Sequence, residues 1–236
     1  MQSNLYQRIL SLMDLTSLNE TDTAAQITLL CDNAIHLSVA AVCLYPQFVS
    51  QAVEQLGGSC VRIATVANFP EGKKSLAEVI LSIEHSIRAG AHEIDVVFPY
   101  EAYLAGRTEN ACQFVTACKT ACGNATLKVI LETGIYPSTE KIFQASHDIL
   151  LAGADFLKTS TGKISVGATL PAVTAMLAAI QQLSGQLDRP LGLKVAGGIK
   201  TIAQAKAYLD LACQYMTSEW ISSRTFRFGA SQVPLA

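Results

Sequence analysis

The chain has 236 residues, half of them hydrophobic and 15% charged, with a formal net charge of -2. That length suits one α/β barrel or doubly wound sheet, and the small charge gives no electrostatic case for nucleic acid or an anionic membrane. The opening "MQSNLYQRIL" lacks a basic-then-apolar secretory layout, and no apolar run approaches the roughly 18–20 residues of a spanning helix. A cytoplasmic protein is therefore expected, with its seven irregularly spaced cysteines reduced.

In chain order, short β-branched or apolar runs alternate with longer helical patterns. The expected strands are "LMDLT" (12–16), "VAAVCL" (39–44), "VRIAT" (61–65), "EIDVV" (93–97) and "LKVIL" (127–131). "DFLK" (155–158), "LGLKV" (191–195) and a weak "FRF" (226–228) continue the series. Between them lie helices such as "SLAEVILSIEHSIRAG" and "TLPAVTAMLAAIQQLSG"; the second carries Leu170, Val173, Leu177 and Ile180 at helical spacing. "RAGAHEIDVV" and "LAGADFLKTS" echo each other, with Gly90 and Gly153 63 residues apart, the span of two βα units. No Pro/Ser-rich linker divides the sequence. These features predict one domain over 1–236, a single (β/α)8 barrel.

Polarity inside the strands carries the functional signal, because side chains alternate faces with period two. Asp95 stands opposite Ile94 and Val96, Lys194 opposite Leu193 and Val195, and Lys158 opposite Leu157. Asp14 and Thr16 share a face opposite Met13 and Leu15, and Lys128 shares one with Glu132. If the apolar partners face the helices, these polar groups converge inside the barrel, mostly late in their strands, where barrel enzymes keep their active sites. An unpaired ammonium in such a place is costly, so Lys158 is either paired or chemically useful. Lys128 and Glu132 read as an interior polar pair. "STGK" (160–163), "AGGIK" (196–200) and "FGAS" (228–231) put glycines just after strands, where backbone N–H groups can approach an anion.

The stretches "LMDLTSLN", "AAVCLYPQFV", "VANFPEG", "HEIDVVFPY", "LKVILETG", "FLKTSTGK", "VAGGIKT" and "FRFGAS" together resemble the deoxyribose-phosphate aldolases, a class I, Schiff-base family. They span Leu12 to Ser231 in the expected order. The resemblance implies that Lys158 forms the imine and that Asp95 and Lys194 handle protons. It implies reversible cleavage of 2-deoxy-D-ribose 5-phosphate to D-glyceraldehyde 3-phosphate and acetaldehyde, by a homodimer or homotetramer. It also assigns Gly162, Lys163, Gly197, Gly198 and Ser231 to the phosphate; Asp14, Thr16 and Cys43 point to the same barrel end and are candidates to line the site.

The residue chemistry is compatible with this. A Schiff base needs a neutral amine, and an ordinary lysine with pKa near 10.4 is only about 0.04% neutral at pH 7. Desolvation and a second cation, here Lys194, raise that fraction. The imine acts as electron sink, so no metal or other cofactor is expected. Cys118 and Cys122, at helical spacing, read as a half-buried helix face. The four histidines (His36, His85, His92 and His147) lack ligand spacing, which disfavours a zinc-dependent aldolase. Relatives usually continue past "FGAS" into a helix and a tail ending in tyrosine, whereas this sequence ends "QVPLA", with Gln232 where a second serine is common. A short or absent tail is therefore expected, which bears on turnover rate and closure of the site. Two alternatives stay open at this point: another Schiff-base barrel for a larger sugar phosphate, and a catalytically weak sugar-phosphate-binding protein.

Overall fold

A computed structural model describes residues 2–233. Eight parallel strands close into a barrel in sequence order: β1 (Met13–Thr16), β2 (Ala41–Leu44), β3 (Arg62–Ala67), β4 (Glu93–Val97), β5 (Thr126–Ile130), β6 (Phe156–Lys158), β7 (Gly192–Ala196) and β8 (Phe226–Ala230). Pairing of β8 with β1 completes the ring. The helices around it are α1 (Gln2–Ser11), α2 (Ala24–Leu37), α3 (Val49–Gln55), α4 (Leu76–Arg88), α5 (Tyr100–Leu104), α6 (Thr108–Cys122), α7 (Thr139–Leu151), α8 (Leu170–Leu183) and α9 (Ile202–Tyr215). All eight expected strands are present, so the sequence encodes a single-domain (β/α)8 barrel. The expectation about the tail falls largely on 234–236, outside the described residues.

Period-two alternation separates two environments. Met13, Leu15, Ile94, Val96, Val129, Leu157, Leu193, Val195, Phe226 and Phe228 join helix residues such as Ile83, Val115 and Leu177 in one large apolar cluster. Each fully buried aliphatic side chain there contributes about 1.5–3 kcal/mol. The opposite strand faces hold the buried Asp14, Glu93, Asp95, Lys128, Lys158, Lys194 and Arg227. A second, smaller apolar cluster of Leu18, Cys43, Ala64, Val66, Phe69, Val97 and Ile130 fills the rest of the interior.

Local signals fix where helices begin and stop. Thr23, Ser75 and Thr201 form capping boxes with Gln26, Glu78 and Gln204 at the starts of α2, α4 and α9. The repeated Ala-Gly-Ala is one helix-ending motif used twice. Gly90 and Gly153 adopt φ 104° and 113°, and the following Ala91 and Ala154 return their N–H groups to Ser86 and Ile149. Both copies then feed a strand directly, β4 and β6.

His92, just before β4, pins that strand to β3. Its backbone N–H donates to the Ile63 carbonyl at 2.8 Å, and its Nδ1 accepts the Ile63 N–H at 3.0 Å. Burial, with help from Arg62, pushes the imidazole below its ordinary value of 6.5. The unfolded chain therefore takes up the proton first, and stability falls as pH drops below about 6.5. Denaturant titrations from pH 7.5 to 5 should show this loss, and His92→Asn, which keeps an acceptor, should flatten it. The paired interior carboxylates Asp14, Glu93 and Asp95 titrate in a separate window, below about 4.5.

Candidate active site

The strand register builds a charged floor. Lys158, Lys194 and Arg227 are successive register partners across β6, β7 and β8, and Asp95 and Lys128 are partners across β4 and β5. Asp95 Oδ2 accepts hydrogen bonds from both Lys158 Nζ and Lys194 Nζ, each at 2.8 Å, while its Oδ1 accepts from Lys128 Nζ at 2.7 Å. Lys194 also reaches Asp14 Oδ2 at 2.5 Å, and Arg227 bridges Asp14 Oδ1 at 2.5 Å to Glu93 Oε1 at 3.0 Å. Glu93 Oε2 closes the network on Lys128 at 2.7 Å. Gly229 makes room for it: a Cβ there would sit 3.0 Å from Lys194 Cε.

This pairing overrides desolvation. Burial pushes the Asp95 carboxyl up, but Lys128, Lys158 and Lys194 together hold it well below the usual carboxylate range. Burial disfavours charge on Lys194 and Lys128, yet Asp14, Asp95 and Glu93 raise both above the ordinary lysine value. Asp14 and Glu93 are lowered by their cations, and Arg227 is raised by its two carboxylates. The resulting interior is ionic and held from several sides.

Above the floor, a cavity of about 530 Å³ opens between the ends of β1, β6, β7 and β8. That volume is in the range of a small-molecule site. Lys158 is the member of the ionic network that lines it. Gly162, Lys163, Gly197, Gly198, Ser231 and Thr16 line it as well. Among the described residues, Lys158, Lys163 and Lys200 are its charged lining residues and no carboxylate lines it. Gly162, Gly197 and Gly198 have φ of 77°, 90° and 87°, a left-handed backbone that favours glycine. Among the described residues, nothing accepts a hydrogen bond from these three amides, so they are available to an anion. Lys163 Nζ donates to the Leu18 carbonyl at 2.6 Å, tying the β6 exit to the β1 exit.

The other sequence-selected residues separate. Asp14 and Cys43 are fully buried and lie outside the cavity lining, Asp14 in the ionic floor and Cys43 in the interior apolar cluster. Burial pushes the Cys43 thiol up. Thr16, by contrast, donates its hydroxyl to the Asp14 carbonyl at 2.8 Å. Lys128 and Glu132 are both buried but do not pair with each other: Lys128 turns to Asp95, and Glu132 accepts the Thr161 hydroxyl at 2.5 Å. The reason is distance: four residues apart along a strand, they are separated by about 13 Å of rise, and each finds a nearer partner. Cys118 and Cys122 are buried on α6, and no group of three or more His, Cys, Asp or Glu is poised for a metal among the described residues.

Glu93, Arg227 and Lys200 escaped sequence reasoning. The first two had a signal, because Glu93 shares the face of Asp95 in "EIDVV" and Arg227 stands between two outward phenylalanines in "FRF". Lys200 closes the quoted "AGGIK" and had only that position to mark it.

Comparison with known proteins bears on this site. In the solved structures, the chain resembles a protein from Coccidioides immitis assigned as a deoxyribose-phosphate aldolase. The two are 31% identical with a TM-score of 0.85, over 96% of this chain and 83% of that one. A Toxoplasma gondii ME49 protein with the same assignment shares the fold at TM-score 0.89 and 23% identity, over 97% and 90% of the two chains. So does the tetrameric deoxyribose phosphate aldolase of Aeropyrum pernix, at TM-score 0.74 and 23% identity, over 98% and 94%. The model of the "DeoC/LacD family aldolase" matches residues 8–214, which takes in seven of the eight strands and every lysine of the floor and cavity, and the chain accordingly belongs to the DeoC/LacD family of aldolases.

Proposed function

We propose that the protein is a deoxyribose-phosphate aldolase that cleaves 2-deoxy-D-ribose 5-phosphate reversibly through an imine on Lys158. The observation that carries this reading is a single lysine shared by two environments: Lys158 is anchored in the ionic floor and also lines a cavity whose charged lining, among the described residues, is wholly cationic. An aldose phosphate needs both, a nucleophile at the carbonyl end and cations with free amides at the phosphate end.

The charge count favours Lys158 as the nucleophile. Asp14, Glu93 and Asp95 face Lys128, Lys194 and Arg227, three carboxylates against three cations whose charged forms are favoured. Glu132 is engaged by Thr161 and Arg62 is half-exposed, so neither alters the balance at the centre. Lys158 is then the fourth cationic side chain, with no carboxylate of its own, and the neutral amine that imine formation needs leaves three carboxylates against three cations.

The neutral amine attacks C1 of the open-chain sugar to give a carbinolamine. Loss of water leaves the iminium. Asp95, directly or through a water, takes the proton of the C3 hydroxyl as the C2–C3 bond breaks. The bonding electrons flow to the iminium nitrogen, leaving an enamine on Lys158 and releasing D-glyceraldehyde 3-phosphate. Protonation of the enamine carbon and hydrolysis free acetaldehyde and restore the amine. Lys194, kept charged by Asp14 and Asp95, holds the Asp95 carboxylate in place and stabilises charge as it moves. The amides of Gly162, Gly197, Gly198 and Ser231, with Lys163, hold the phosphate. Such an enzyme would serve deoxyribose phosphate and deoxyribonucleotide breakdown in the cytoplasm. A homodimer or homotetramer is part of the proposal, consistent with the tetramer described for the Aeropyrum pernix protein.

Turnover assays with 2-deoxyribose 5-phosphate test this directly. Lys158→Met should abolish activity in a folded protein, and Asp95→Asn should lower kcat by about 100- to 10,000-fold. Unaltered turnover in folded Lys158→Met would end the proposal. Phosphate-end variants should behave differently. Lys163→Ala should raise KM by about 10- to 100-fold, the worth of a charge-assisted hydrogen bond, with a smaller effect on kcat. A KM unchanged by Lys163→Ala would remove Lys163 from the phosphate site.

A further inference from the structure

We propose that Glu132 is a positioning residue, a buried carboxylate that sets the Thr161–Gly162–Lys163 turn on which the substrate phosphate docks. The inference rests on the reading of the cavity given above and adds a residue to it that does not itself touch substrate.

The geometry points there from both sides of the contact. Glu132 is 1% exposed and has φ 59° and ψ 58°, a left-handed backbone that costs a non-glycine residue about 1–2 kcal/mol. Its carboxyl meets the β6 exit, at Thr161. Glu132 Oε2 accepts the Thr161 hydroxyl at 2.5 Å, and the two carboxyl oxygens lie 3.3 and 3.4 Å from the Thr161 N–H. Thr161 Oγ1 in turn accepts the Lys163 N–H at 3.0 Å. One carboxylate therefore holds the first residue of the turn by two donors and reaches the third through its hydroxyl. Gly162, between them, keeps φ 77° and an amide with no acceptor among the described residues.

The anchor itself is fixed. Thr133 N–H donates to the Thr159 carbonyl at 2.8 Å, and Thr159 N–H donates to the Lys194 carbonyl at 3.1 Å, tying the exits of β5, β6 and β7 together. Placement also resolves an electrostatic conflict. A carboxylate facing a phosphate would repel it. Glu132 is absent from the cavity lining while Thr161 is part of it, so the acid orients the turn from behind. An acceptor-only group suits this role, since both Thr161 groups that meet it are donors.

The test compares 2-deoxyribose 5-phosphate with unphosphorylated 2-deoxyribose as substrates for the full chain. Glu132→Ala should raise KM for the phosphorylated substrate about 10-fold, with kcat within about twofold and kcat/KM for 2-deoxyribose unchanged. Glu132→Gln keeps one acceptor and should recover most of the loss. Thr161→Val attacks the same contact from the other side, should reproduce Glu132→Ala, and decides the matter if that variant fails to fold; Thr161→Ser should restore binding. Equal losses on the two substrates, or no loss in either variant, would overturn the assignment. If the wild type itself shows no preference for the phosphorylated sugar, the phosphate reading of the cavity falls and this inference with it. If the wild type prefers it and both variants retain the full preference, this inference alone falls.

Discussion

One oxygen atom organises the interior. Asp95 Oδ2 accepts from Lys158 Nζ and Lys194 Nζ at the same 2.8 Å. Removing two such side chains from water is tolerable only because Asp14, Glu93, Lys128 and Arg227 complete the network. Deleting one member strands its partners as uncompensated buried charges, which costs several kcal/mol, so stability and chemistry are bound together in this fold. The parallel register makes the arrangement possible, since successive register partners on β6, β7 and β8 are all cationic and the acids come from β1 and β4.

The site has two materials. Its floor is ionic, fully buried and cross-linked by side chains from six strands. Its other wall is backbone: the β6–α8 loop lies so close on the β7 turn that a Cβ on Gly167 would sit 2.5 Å from the Gly197 carbonyl oxygen. A cross-linked floor suits a side chain that must be accurately placed, and free amides on tight turns suit an anion. Lys163 connects the two walls of the cavity, because its Nζ donates to the Leu18 carbonyl across from the β6 exit turn.

Much of this was legible in the sequence because alternation in a barrel strand is a strict geometric rule. "EIDVV", "FLK" and "GLKVA" could place Asp95, Lys158 and Lys194 inside only if their neighbours faced the helices, and the large apolar cluster contains those neighbours. The same rule places Glu93 and Arg227 inside, since each stands on the face opposite apolar neighbours of the large cluster. The rule stopped working where a strand stopped. Glu132 lies two residues past β5, and the expected pairing with Lys128 does not form, because Lys128 meets Asp95 and Glu132 meets Thr161 instead. Strand ends were off for a related reason: β8 runs on through Gly229 and Ala230, residues of low β-propensity, because β1 and β7 supply the ladder. Cys43 was placed correctly inside the barrel but not at the cavity, a distinction of depth that no one-dimensional pattern carries.

The central claim is that Lys158, and no other buried lysine, forms the imine. Incubating the protein with acetaldehyde and sodium borohydride, then mapping peptides by mass spectrometry, tests it most directly. The account predicts one two-carbon ethyl adduct, on Lys158, with Lys128 and Lys194 unmodified. An adduct on Lys194 or Lys128, or none in folded protein, would contradict it.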